Sequence, residues 1–132
     1  MHREESVVGK AHASGVRRIL RATRYSIAGF HAAWTNEAAF RQECLVAAVL
    51  VPLAFWIGRT AAERALLIGS CVLVLIVELL NSAIETAVDR IGTERHPLAG
   101  RAKDLGSAAV LVSLVLVGIV WALIAWERVV GA

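Results

Sequence analysis

A chain of 132 residues, 58% of them hydrophobic and 19% charged, with a mean hydropathy of +0.64, is too apolar for an ordinary water-soluble domain and needs a non-aqueous solvent. Its formal net charge of +3 gives no reason to expect a nucleic-acid partner. Cys44 and Cys71 sit in apolar runs without a CxxC pattern or a histidine cluster, which argues against zinc or a redox pair.

Residues 1–15 read as a polar N-terminal extension without the apolar core and small-residue cleavage site of a signal peptide, so insertion is expected to use internal segments. Over 16–34, Val16, Ile19, Leu20, Ile27, Phe30 and Trp34 fall close to helical spacing, while Arg17, Arg18, Arg21, Arg24 and His31 take other directions. This is the pattern of a basic amphipathic helix lying in a membrane interface. Three spans follow, at about 38–58, 65–91 and 104–127. The third is free of charge through its centre and carries Trp121 and Trp126 at one end, as an interfacial anchor would. Seven Lys and Arg, Arg41 included, precede the charge-free part of the first span that begins at Cys44, four lie at the end of the second span and in the loop after it, and Arg59, Arg64 and Arg128 remain. The positive-inside rule then predicts that the N-terminus and the second loop, Asp89 to Asp104, are cytoplasmic. One short chain must build any site from these few segments or share it between copies, so self-association is expected.

In the second span Glu78, Asn81, Ser82, Glu85 and Asp89 share one helical face. At 1.5 Å rise per residue, Glu78 and Glu85 differ in depth by roughly 10 Å. Ionisable groups inside a membrane demand partners or an opening to water, and function is the first hypothesis for them; interhelical hydrogen bonding is the alternative. Glu37, just before the first span, suits either an ordinary i, i+4 ion pair with Arg41 or, together with Glu85, the one or two carboxylates that magnesium takes when it travels on nucleotide phosphates. In the second loop Gly92 and Pro97 are placed to stop the helix, and Arg101 and Lys103 suit phosphate oxygens or orientation in the membrane equally well. Neither GxxxxGK[ST] nor GxGxxG occurs, which excludes a P-loop or dinucleotide fold.

Read together, Asn36-Glu-Ala-Ala-Phe-Arg-Gln-Glu43, Glu78-Leu-Leu-Asn-Ser-Ala-Ile-Glu85 through Gly92, and Gly100-Arg-Ala-Lys-Asp-Leu-Gly-Ser-Ala-Ala-Val110 resemble the signature segments of the small prokaryotic diacylglycerol kinases. The resemblance covers roughly Val16 to Trp126 and implies an all-α membrane protein of three transmembrane helices plus an amphipathic surface helix, assembled as a homotrimer in the bacterial inner membrane. It implies ATP-dependent phosphorylation of diacylglycerol at the cytoplasmic face, with Mg2+ as cofactor. Glu78 is then the catalytic base, and Glu37 and Glu85 bind the metal. Arg18, Tyr25, Glu37, Glu85, Glu94, His96, Lys103 and Asp104 contact ATP. Arg18, Ala22, Ser26, His31, Trp34, Arg41, Glu78 and Ser107 approach the lipid. Asn81 and Asp89 support the site, Asn81 by helping to hold the catalytic carboxylate. The rival expectations are a kinase of undecaprenol or another polyprenol, using the same machinery, and a small ion-coupled membrane subunit in which Glu78 and Glu85 form a relay.

Overall fold

The computed structural model describes residues 5–92 and 94–131, with side chains from Gly15 onward. Residues 1–4 of the expected polar extension, and the side chains of 5–14, lie outside the described residues. Four α-helices account for nearly all the rest, and no strand occurs among the described residues: α1 Glu5–Asn36, α2 Ala38–Ile57, α3 Ala61–Ile91 and α4 Pro97–Val130. Helix α1 forms one compact unit; the second begins at Glu37 and holds α2, α3 and α4.

Within α1, side-chain spacing separates two sides. Val16, Leu20, Ile27 and Trp34 recur on one stripe, while Arg18, Ala22 and Tyr25 lie on the opposite side, flanked by Ser26. The hydroxyls of Thr23 and Ser26 donate to the carbonyls of Ile19 and Ala22, each at 3.0 Å, so neither needs an outside partner.

Helix α2 is 20 residues long, about 30 Å at 1.5 Å per residue and just enough to cross hydrocarbon. It starts after an extended Glu37 and buries Phe40 and Ala54. The turn into α3 is closed by a capping box. Glu63 N–H donates to Thr60 Oγ1 at 3.1 Å, and the Glu63 carboxylate accepts the backbone N–H groups of Arg59 at 2.6 Å and Thr60 at 3.3 Å. Arg64 Nε donates to the Gly58 carbonyl at 3.0 Å, and a side chain on Gly58 would strike Arg64 and the Ala54 carbonyl. Pro97 both ends the loop and opens α4 at a first-turn position where its missing N–H is harmless.

Helix α3 is the spine: α2 and α4 pack mainly against it and touch each other little. Its buried residues Leu67, Cys71, Val74 and Glu78 follow each other at alternating four- and three-residue steps, one continuous stripe. Lipid is as apolar as leucine, so close packing and hydrogen bonds, rather than burial from water, hold such helices together. One bond is specific. Trp121 Nε1 of α4 donates to the Leu67 carbonyl at 3.3 Å, and Ser70 Oγ donates to the same oxygen at 2.9 Å. Of the two tryptophans of α4, Trp121 is therefore half-buried against α3, and Trp126 stands exposed in the manner of an interfacial anchor. An indole N–H facing hydrocarbon would be left unsatisfied, which is why the nearby carbonyl captures it. Helices α2, α3 and α4 are each long and apolar enough to cross a membrane, which makes this a multi-pass membrane protein.

Candidate active site

The polar end of the α3 stripe carries the acids. Glu78 is only 5% exposed, although it lies within a span. The charged groups that bear on it are Glu43 and Glu37, from α2 and its N-cap, and Glu85, two turns further along α3. Three other carboxylates, each half-buried, thus bear electrostatically on Glu78. Such a concentration inside a low-dielectric protein is costly unless cations or a proton offset it. Glu43 is the member of this group to which spacing assigned no part. It is half-buried and lines a cavity of about 160 Å³ with Cys71, Val74 and Leu114. Its sequence signals are its place at the end of the 36–43 segment and its position at the threshold of the apolar run that begins at Cys44.

Asn81 lies one turn beyond Glu78. Its Nδ2 donates to Glu85 Oε1 at 3.1 Å, so the amide braces Glu85, one of the two carboxylates expected at the metal. Its Oδ1 is buried without a hydrogen-bond partner. That oxygen lies against Gly106 of α4, where a Cβ would collide with Asn81 Oδ1 and sit 3.2 Å from its Cγ.

Beyond the end of α3 the chain opens a cleft of about 570 Å³, whose wall includes Asp89, Glu94, Arg95, His96 and Lys103. That is the size of a small-molecule pocket. Three residues expected at the nucleotide, Glu94, His96 and Lys103, meet here, joined by Arg95, to which spacing gave no part. Lys103 Nζ pairs with Asp89 Oδ1 at 2.6 Å, which directs the ammonium across the α3–α4 junction. His96 caps α4: its Nδ1 accepts the Leu98 N–H at 3.2 Å, so Nε2 carries the proton of the neutral ring. The positive end of the α4 dipole opens at the same place.

Other expected residues are carried by α1, α2 and α4. Asp104 and Ser107 are exposed on α4, and Arg41 is half-buried on α2 with its backbone N–H on the Glu37 carbonyl at 3.2 Å. Arg18, Ala22, Tyr25, Ser26, His31 and Trp34 are exposed on α1. Among the described residues no group of three or more His, Cys, Asp or Glu is gathered as a metal cage.

Comparison with known proteins gives the family. A family model described as prokaryotic diacylglycerol kinase matches residues 24–125. The diacylglycerol kinase of Pseudomonas aeruginosa is 57% identical over 111 residues, 84% of this chain and 90% of its own length. That of Haemophilus influenzae is 55% identical over 108 residues, 82% of this chain and 92% of its own. That of Escherichia coli K12 is 52% identical over 115 residues, 87% of this chain and 94% of its own. Similarity of this degree across most of both chains, with three membrane-capable helices and a buried glutamate on the second, establishes that the chain belongs to the prokaryotic diacylglycerol kinase family.

Proposed function

We propose that this chain transfers the terminal phosphoryl group of ATP to the free hydroxyl of diacylglycerol, giving phosphatidic acid, at the cytoplasmic face of the bacterial inner membrane. The observation that carries the reading is a buried Glu78 on the same α3 face as Glu85, a few turns from the charged cleft at the α3–α4 junction. The relatives' common name, diacylglycerol kinase, supports the choice of lipid.

Phosphoryl transfer needs positioning, charge neutralisation and a route for one proton. Glu78 takes the proton of the lipid hydroxyl as the new O–P bond forms, and the bond from the γ-phosphorus to the bridging oxygen breaks to release ADP. Its burial keeps bulk water from competing as acceptor. Lys103, directed by Asp89, and Arg101 hold phosphate oxygens. Glu94 and His96 bound the nucleotide side of the cleft, and Asp104, exposed on α4, belongs to the same contacts. Arg18 and Tyr25 on the polar side of α1 belong to the nucleotide contacts. Ala22, Ser26, His31, Trp34, Arg41 and Ser107 belong to the lipid contacts.

Glu37 and Glu85 are the residues that would hold magnesium. Two half-buried carboxylates, one braced by Asn81, fit a hard cation that arrives on phosphates and keeps its other positions for their oxygens and water. Bound there, it would neutralise phosphate charge. The homotrimer is part of the same proposal, and outward-facing Leu45, Val49, Phe55 and Leu66 supply apolar surface for lipid or for other copies of the chain.

The test is a phosphoryl-transfer assay on purified protein in bilayers, offering diacylglycerol or undecaprenol with labelled ATP, with magnesium and with chelator. Magnesium-dependent label in phosphatidic acid is the expected result. Faster transfer to undecaprenol, or none to either lipid, overturns the proposal.

A further inference from the structure

The side chain of Asn81 is wedged between two helices. At one end its Nδ2 donates to Glu85 Oε1 at 3.1 Å; at the other its Oδ1 is buried without an N–H or O–H partner. Oδ1 fills the place where any residue other than glycine at 106 would put its Cβ, and the three atoms nearest that place, Oδ1, Cγ and Cβ, all belong to Asn81. The Gly106 α-hydrogen in that direction points at Oδ1, a weak Cα–H···O contact. Reversing the amide would set its oxygen against the Glu85 carboxylate, so contact with Gly106 and the bond to Glu85 select the same orientation.

We propose that Gly106 is a positioning residue: by carrying no side chain it seats the Asn81 amide against α4 and so fixes the direction in which Asn81 holds Glu85. Helix α4 would then act on the phosphoryl-transfer site through a hydrogen atom, without touching substrate. The proposal deepens the reading above, since it rests on Glu85 as a carboxylate of the magnesium–nucleotide site.

A Cβ at position 106 displaces Asn81 and releases Glu85. Partners of this kind typically change metal affinity by about 10- to 100-fold. The built Cβ lies 3.9 Å from Asn81 Cβ, an ordinary contact, so alanines at both positions fit together. The two substitutions should therefore be strongly non-additive.

The experiment measures Mn2+ binding by electron paramagnetic resonance, with a non-hydrolysable ATP analogue, for the parent, Gly106→Ala, Asn81→Ala, the double variant and Glu85→Gln. Melting in detergent is followed in parallel. Gly106→Ala and Asn81→Ala should each weaken Mn2+ binding by about 10-fold, and the double variant should match Asn81→Ala within about twofold. Parent-like Mn2+ affinity in folded Gly106→Ala overturns the proposal, as does a double variant weakened by the product of the two single effects. If Gly106→Ala does not fold, the double variant should; failure of both overturns the proposal, because the added methyl must then meet something besides Asn81. Glu85→Gln separates the two readings. Undiminished Mn2+ binding by that variant removes the magnesium assignment and this proposal with it. Weakened binding there beside a parent-like Gly106→Ala removes this proposal alone.

Discussion

Replacing Leu67 by alanine removes three carbons from a side chain that is 0% exposed, at the crossing of α3 with α4. In soluble proteins such a change costs about 2.7 to 5.0 kcal/mol, part transfer from water and part the cavity left behind. In a bilayer the unfolded reference still sits in apolar lipid, so most of the transfer share drops out and the cavity share remains. The site cannot collapse easily, because the Leu67 carbonyl is tied to Trp121 at 3.3 Å and to Ser70 at 2.9 Å. We therefore expect a loss near the full cavity spread of the soluble series, about 2 kcal/mol. The neighbouring Leu66 is 58% exposed and faces outward, and its alanine variant should lose no more than about 0.5 kcal/mol. Equilibrium unfolding by dodecyl sulfate in mixed micelles, at fixed protein concentration, reads both. Equal losses at the two positions would refute the packing described for α3 and α4.

Glu78→Gln preserves volume and removes the base, so turnover should fall by about 10²- to 10⁴-fold while nucleotide binding stays within about twofold; parent-like turnover removes Glu78 from that part. Lys103→Met should raise KM for ATP by about tenfold and leave the melting temperature unchanged, because its pair with Asp89 is solvent-exposed; an unchanged KM argues against a phosphate contact. Trp121→Phe keeps an aromatic ring but loses the pyrrole half of the indole with its donor to Leu67; the lost bond should cost about 0.6 kcal/mol in the same unfolding measurement, and a cost above about 2 kcal/mol would mean that the indole supports more than this bond.

The three spans are legible because charge-free runs of sufficient length have few other uses. The start of α3 is less so: spacing puts it near 65 because Glu63 and Arg64 look like loop, whereas the capping box turns those charges into the first turn from Ala61. The 3.6-residue period places Glu78, Asn81 and Glu85 on one face, and the structure has them there. It does not determine which acid Asn81 serves. Glu78 is one turn before it and Glu85 one turn after, both within reach, and the choice falls to the side-chain rotamer. That rotamer depends on the register of α4 against α3, which brings Gly106 opposite Asn81. Register between helices distant in sequence leaves no local trace, so Gly106 passes for one more small residue. Trp121 is similar: an aromatic near a span's end suggests an anchor until the Leu67 carbonyl is found within its reach.

The central place of α3 bears on how the protein is made. Chain order brings α2 and α3 into the bilayer before α4 has left the ribosome. Until then the polar face of α3, with Ser70, Glu78, Asn81 and Glu85, has only α2 and whatever water follows it inward. Each acid there raises the free energy of the nascent hairpin by a few kcal/mol, at least about 2.5 on insertion scales. Arrival of α4 covers Asn81 with Gly106 and the Leu67 carbonyl with Trp121, which draws biogenesis toward the complete bundle.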